Sequence, residues 1–303
     1  MMKLLMKRFR PSLPPVAVLM EAPAVMALRV TKPGRGMQPL VKDEEAMAAI
    51  VDSAAPGEAA GARLADSTLT RLGRPKRLSL VLGDPFFRMQ IMTLNDFPRN
   101  EEERIQVIKW HLRKTLNVPV ESLRLHYEIL QKTPGGVTLW LSGCQEDAVL
   151  ALEGAFAAHG CEVGYVGSST AEVHNLVLAR GLYPEEGSAL LLNRTAGYLS
   201  FLFSEGGRPV FFRCKETPSD EDGEMMDARI EQELRLTLAY HRDKLGGGRL
   251  AKVLVRSQAP HMILPLDSVL EEGIPVEDVA SAAGLADQWS PVWLPLVGLL
   301  EGN

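Results

Sequence analysis

The chain has 303 residues, 46% of them hydrophobic and 23% charged, with a formal net charge of -5. That length suits a bilobed or two-domain globular protein, and the composition is ordinary for a folded soluble one. The acidic balance speaks against general nucleic-acid binding, which needs clustered Lys and Arg to neutralise phosphate.

The N-terminal stretch "MMKLLMKRFRPSLPP" is basic, but its apolar runs are too short for a signal-peptide core and Pro11, Pro14 and Pro15 interrupt it. No run reaches the roughly 20 apolar residues that span a bilayer, so a soluble, cytoplasmic protein is expected. Cys144, Cys161 and Cys214 are odd in number and far apart, which suits a reducing compartment. None of the histidines stands in an H-E-x-x-H or H-x-x-x-H pair, so no metal centre is expected.

"VAVLMEAPAVMALRV", 16 to 30, reads as a β-hairpin, "TKPGRGMQP" as a loop, and the Ala-rich region 43–71 as one or two helices. "RLSLVLGD" and "FFRMQIMTL" read as strands. The next stretch has a plausible N-cap in Asn100, with Glu101, Glu102 and Glu103 behind it. An apolar stripe at Ile105, Ile108 and Leu112 and basic residues at its far end complete the helix pattern. "LRLHYEILQ" and "GGVTLWLSGC" form a second hairpin, followed by a helix to Gly160, a strand "CEVGYVG" and a helix to Gly181. A third hairpin covers 188–203 and continues through Gly206–Gly207 to "RPVFFRCKE". An acidic loop, a long helix from about 225 to 244, the strand "LAKVLVRS", a short helix at "DSVLEEG" and an apolar C-terminal helix at "WLPLVGLLEG" complete the chain. Hairpins open both halves, which predicts a duplicated α/β architecture and not a Rossmann domain.

The order of these elements resembles the PilM family of type IV pilus assembly proteins, members of the actin-like ATPase fold. The likeness spans the chain as a series of short matches. Its most specific pair is the helix and strand "EQELRLTLAYHRDKLGGGRLAKVLVRS"; "SEGGRPVFFRCKE" and "CEVGYVGSSTAEVHNLVLA" also match. The resemblance implies a bilobed fold of two duplicated RNase H-like subdomains. Residues 1–15 would be a basic leader, 16–165 a first lobe with an inserted subdomain, and 166–279 a second lobe. The C-terminal helix, about 280–303, would return to the first lobe.

In that fold the first hairpin turn cradles phosphate through backbone N–H groups, and an Asp organises Mg²⁺. The family's hairpin, V-G-I-D-I-G-S-S-S-V-K-A-V-R-L, lies on residues 16–30 without a gap. It places Leu19 at the Asp, Glu21 at a Gly and Met26 at the Lys. A carboxylate there repels a triphosphate by roughly 1 kcal/mol or more, and Pro23 removes a donor. In the second hairpin Asn193 and Thr195 replace Asp and Gly, and "RSQAPH" stands where a Gly-Gly loop would pass the adenosine. The expectation is a pseudo-ATPase with neither ATP nor Mg²⁺ as cofactor, its cleft filled by Leu19, Met20 and Met26. The competing expectation is an ATPase or nucleotide-gated switch that keeps Asn193, Thr195 and Ser257 as polar contacts.

Other motifs are weak. "LGGGR" follows a helix instead of opening one, the acidic run Asp220 to Glu224 lacks a calcium ladder, and Ser168, Ser169, Glu172 and His174 lack a nucleophile elbow. The aromatic and basic set Phe86, Phe87, Arg88, Met89, Phe97, Trp110 and Arg113 reads either as core with scattered surface residues or as a groove with aromatic anchors. The resemblance implies such a groove in the first lobe. It would receive the cytoplasmic N-terminal peptide of a PilN-like bitopic inner-membrane protein, which makes this chain a peripheral scaffold. A cytoplasmic domain of type II secretion is the further relative implied; it would usually continue into a membrane span, whereas this sequence stops at "LLEGN".

Overall fold

The computed structural model describes residues 13–21, 24–32, 35–43, 65–66, 68–70, 72–116, 119–217, 223–245, 249–258, 265–287 and 289–301. Two five-stranded sheets share one plan. The first has the order β3 (Arg35–Asp43), β2 (Ala24–Lys32), β1 (Val16–Glu21), β4 (Arg77–Leu82), β8 (Glu162–Ser168). The second has β11 (Arg208–Glu216), β10 (Tyr198–Glu205), β9 (Ser188–Arg194), β12 (Leu250–Ser257), β13 (Val276–Asp278). In each, the first three strands in sequence form an antiparallel meander and the last two run parallel to the first. The duplication legible in the hairpins is therefore a duplication of whole sheets.

Between β4 and β8 the chain inserts a three-stranded antiparallel sheet, order β5 (Phe87–Leu94), β7 (Gly136–Gln145), β6 (Leu123–Thr133), with helix α1 (Glu101–Thr115) against one face. α1 begins where the sequence says it should: the Asn100 side chain accepts from the Glu102 amide at 2.8 Å, and three glutamates follow in the first turn. Ile108 and Leu112 bury its inner stripe against Leu94, Leu139 and Leu141. Residues 65–66 and 68–70 are helical within the expected region 43–71, and further helices are α2 (Glu146–Ala157), α3 (Ser169–Ala179), α4 (Gly223–Lys244), α5 (Val279–Ala282) and α6 (Leu294–Glu301).

β1 reads as one apolar run because both its faces are covered. Ala17 and Leu19 join a core shared with α3, α6 and the second sheet, while Val16, Val18 and Met20 join a separate core with Phe87, Val149 and Phe156. α6 is buried almost all round, as its continuous apolar sequence requires, and packs on α3, β1 and β2. The first sheet runs to Ser168 at the end of β8, and α6 packs on its strands β1 and β2.

Gly298 makes the α3–α6 approach possible. A Cβ there would stand far inside van der Waals contact distance of the Glu172 carbonyl oxygen and 3.1 Å from the Leu176 Cβ. Gly298→Ala is expected to cost about 1–3 kcal/mol. Gly154→Ala on the exposed side of α2, where an added Cβ meets nothing within 4 Å, should gain about 0.5–1 kcal/mol. Urea denaturation of the two variants checks both signs.

Two expectations are corrected. Much of "TKPGRGMQP" belongs to β2 and β3, which pair around a bulge at Ala27/Leu28, and Pro39 is tolerated because β3 is an edge strand among the described residues. "DSVLEEG" forms turns, with Val269 and Leu270 amides both bonded to the Leu266 carbonyl, and no helix. Most of region 43–71, the acidic run 219–222 and the glycines 246–248 lie outside the described residues, as do the side chains of β2 and β3 other than Ala27.

Candidate functional site

In open α/β sheets, ligands bind beyond the carboxyl ends of the central strands, where the strand order reverses. Here four such ends converge between the lobes: Glu21 closes β1, Asp84 follows β4, Asn193 lies near the end of β9 and Arg256 near the end of β12. All four are sealed from solvent, Glu21 at 1% exposure and Arg256 at 0%.

Arg256 bonds through every nitrogen of its guanidinium. Nη2 donates to Glu21 Oε2 at 2.8 Å and to the Val292 carbonyl at 3.3 Å, Nη1 to Asn193 Oδ1 at 2.8 Å, and Nε to the Pro291 carbonyl at 2.9 Å. Glu21 is saturated in turn: Tyr198 donates its hydroxyl to Oε1, and Gln258 Nε2 donates to Oε2 at 3.4 Å. The pair thus ties the end of β1 in the first lobe to β9, β10 and β12 in the second. A fully bonded pair of this kind offsets much of the desolvation cost of burying two charges.

A second polar cluster adjoins it. Asp84 accepts from the Thr170 amide at 3.0 Å, the Thr170 hydroxyl and the Ser200 hydroxyl, the last at 2.6 Å. Asn193 Nδ2 donates to Thr170 Oγ1 at 2.7 Å and to Ser169 Oγ at 3.3 Å, joining the two clusters. Burial pushes the Asp84 carboxyl up to about 6 against those donors, and the Glu21 carboxylate adds to the rise. Burial likewise holds the Tyr198 hydroxyl protonated well beyond its usual range, which keeps it a donor to Glu21.

The filling expected of Leu19, Met20 and Met26 is therefore corrected. Leu19 and Met20 point into the two cores on either side of β1, and the Met26 side chain lies outside the described residues; charged and polar groups fill the junction instead. Thr195 is used within its own turn, where its hydroxyl accepts from the Gly197 and Tyr198 amides at 3.2 and 3.1 Å. Ser168, Ser169, Glu172 and His174 do not form a relay. Ser168 caps α3, Glu172 accepts from the Tyr165 hydroxyl at 2.6 Å, and His174 Nδ1 lies 2.6 Å from the Tyr183 hydroxyl. Burial lowers the His174 imidazole to about 4.

A groove of about 490 Å³ opens elsewhere, between the inserted sheet and the first lobe. The inserted sheet packs one face on α1 and turns the other to this groove. Cross-strand rows build that wall: Phe87–Cys144–Arg124, then Met89–Ser142–His126, then Trp140–Glu128. The opposite wall is the stretch 163–168 of β8, the edge strand of its sheet among the described residues, with Val149 and Glu153 of α2 beside it.

The residues expected to form one groove separate. Phe87, 6% exposed, and Met89 line this groove; Phe86, 40% exposed, and Arg88 border a smaller cavity of about 170 Å³. Trp110, 51% exposed, lies on the far side of the inserted sheet under Lys114 Nζ, 3.3 Å from its ring centroid, and Phe97 is an edge neighbour of Tyr127 there. Arg113 is held by Glu121 at 2.8 Å. The six residues expected as anchors therefore do not line one groove, and of them only Phe87 and Met89 face this one. The others sit apart because alternation along β5 sends Phe87 and Met89 to one face, Arg88 to the other, and α1 lies behind that second face. His126, Trp140 and Ser142 were missed; the signal was the same alternation in "LRLHYEIL" and "VTLWLSGC".

No family model matches the sequence, and no curated protein sequence does either. Among solved structures, a chain of the PilM-PilN type IV pilus biogenesis complex aligns over 96% of this chain and 99% of its own, with 16% identity and a TM-score of 0.75. A protein from Bacteroides thetaiotaomicron described as having an actin-like ATPase fold and unknown function aligns over 94% of this chain and 95% of its own, with 12% identity and a TM-score of 0.59. The cytoplasmic domain of EpsL, an inner-membrane component of the type II secretion system of Vibrio cholerae, aligns over 91% of this chain and 97% of its own, with 12% identity and a TM-score of 0.49. The paired sheets, their shared strand order and the first two alignments give this chain the actin-like ATPase fold.

Proposed function

We propose that this chain is a scaffold of a type IV pilus inner-membrane assembly complex that captures the cytoplasmic N-terminal peptide of a PilN-like membrane protein and hydrolyses no ATP. The observation that carries the second half is the Glu21–Arg256 pair. It occupies the carboxyl ends of the central strands, where the fold would hold a nucleotide's phosphates. A triphosphate entering there would have to displace a bonded carboxylate and leave two buried charges unpaired.

The peptide reading is supported by the groove. Its volume lies in the range of ligand clefts. One wall is an edge strand, the element to which extended peptides add, and the other offers aromatic and apolar anchors among a few polar groups. Among the described residues no helix is long and apolar enough to cross a membrane, so membrane association in this reading comes through the partner.

Two titrations test the reading. Calorimetry with ATP and Mg²⁺ is expected to give no heat at submillimolar sensitivity; clear binding would revive the nucleotide-gated alternative. Calorimetry with the N-terminal peptide of the PilN-like protein is expected to give binding that Ser142→Trp, which fills the groove, weakens at least tenfold. Unchanged affinity would place the peptide elsewhere.

A further inference from the structure

The smaller cavity of about 170 Å³ adjoins the groove, and Cys144 and Val149 line both. Its floor is apolar and buried: Leu82 at the end of β4, Leu123 at the start of β6 and Leu152 of α2. Phe86, 40% exposed, and the exposed Arg88 and Gln145 stand at its mouth. The polar side chains there offer donors. Arg88 Nη1 donates to the Pro85 and Phe87 carbonyls at 3.0 and 3.2 Å, which holds the guanidinium in place, while Nε and Nη2 make no bond among the described residues. Gln145 Oε1 already accepts from the Ser122 hydroxyl at 3.0 Å, so its NH₂ group is what remains. Neither Glu146 nor Asp147, which follow Gln145, lines the cavity, and Glu146 lies 3.8 Å from the Arg124 guanidinium.

This chemistry narrows what fits. A cavity of about 150 Å³ holds one benzene-sized group, so this one takes a single apolar side chain. A guanidinium with two nitrogens to spare, beside an amide donor, calls for a carboxylate, which Arg binds through two parallel bonds. With space for one side chain, the carboxylate must sit on the same residue, as an α-carboxylate does. A free amino acid would also bring an ammonium group, and no carboxylate lines the cavity among the described residues to meet it. That selects a residue acylated at its nitrogen. We propose that this cavity binds the carboxyl-terminal residue of a partner polypeptide, its apolar side chain on Leu82, Leu123 and Leu152 and its α-carboxylate on Arg88. The site is separate from the groove and does not rest on reading the groove as a peptide cleft.

The test uses N-acetyl-L-leucine, which carries the side chain and the α-carboxylate without an ammonium group, with N-acetyl-L-leucinamide and L-leucine as controls. Each is titrated into the full ¹⁵N-labelled chain, wild type and Arg88→Gln, and read from the amide resonances of residues 86–88 and 145–149. The rest of the spectrum verifies that the variant is folded. N-acetyl-leucine is expected to bind in the millimolar range, as a ligand this small does. It should bind at least about tenfold tighter than either control, the share of a hydrogen-bonded charge, and Arg88→Gln should remove that advantage. No shift at about 20 mM ligand, equal binding of the leucinamide, or binding indifferent to Arg88→Gln would each overturn the proposal. Leucine binding as tightly as its N-acetyl form would overturn the chain terminus as the occupant. The groove titrations stand or fall separately, because Arg88 does not line the groove.

Discussion

Arg256→Met is expected to destabilise the protein by about 3–5 kcal/mol, as the removal of one partner from a buried ion pair does. The loss is large because it leaves Glu21, fully enclosed, with Tyr198 and Gln258 as its donors among the described residues, and it strips Asn193 Oδ1 and the Pro291 carbonyl of the guanidinium's bonds. The double variant Glu21→Leu with Arg256→Met should recover part of it, because two charges then leave together and apolar groups of similar size take their place. Recovery should be incomplete by about 1–3 kcal/mol, since the hydroxyl, amide and carbonyl groups around the pair stay buried without partners. Urea denaturation of the wild type, both single variants and the double gives the coupling energy. A value near zero would mean that the pair does not join the lobes. Glu21→Gly has a further use in calorimetry. It leaves a guanidinium unpaired where phosphate would enter, so any nucleotide affinity the fold retains should be strongest in that variant.

The sheets were legible because their signals are local. "VAVLME" and "SALLLNR" are buried along their full length, and each pairs antiparallel with the strand that follows it in sequence. β13 was missed because three residues carry no period, and β3 because Gly36 and Pro39 read as loop chemistry while its pairing partner is what makes it a strand. The interlobe junction was half legible. Glu21 stood out as wrong for a phosphate turn, but its meaning depends on Arg256, 235 positions away, and a sequence gives no sign that two charges at such separation meet. The groove was misread for a related reason. "FFRM" looks like one cluster along the chain, yet a strand divides such a cluster between two faces, and only its pairing with β7 decides which half meets Trp140 and Ser142.

Asp84 predicts a dependence of stability on pH with a sign opposite to that of an ordinary ion-paired carboxylate. Its pKa rises from 3.8 to about 6 in the folded chain, first through burial and then through the Glu21 carboxylate, against the Ser200 and Thr170 donors. Between about pH 4 and 6 the unfolded chain has released this proton and the native chain still holds it. The native state therefore binds more protons, and stability falls as pH rises through that window, by about 3 kcal/mol for a shift of about two units. Above about pH 6 the loss is complete and constant; below about pH 4 both states are protonated and the contribution disappears. Other groups titrate in the same range, so the diagnostic quantity is the gap between wild type and Asp84→Asn, which cannot ionise at that position. Denaturation from pH 4 to 7 should show the gap shifting in favour of the variant by about 3 kcal/mol across the window. A constant gap would mean that Asp84 is solvated well enough to titrate normally, which its contacts argue against. Its oxygens are bonded to α3 through Thr170 and to β10 through Ser200, so this carboxyl holds the end of β4 to the second lobe beside the Glu21–Arg256 pair. Ionising it places a second negative charge next to Glu21. Mildly acidic conditions should thus tighten the same junction that Arg256→Met loosens.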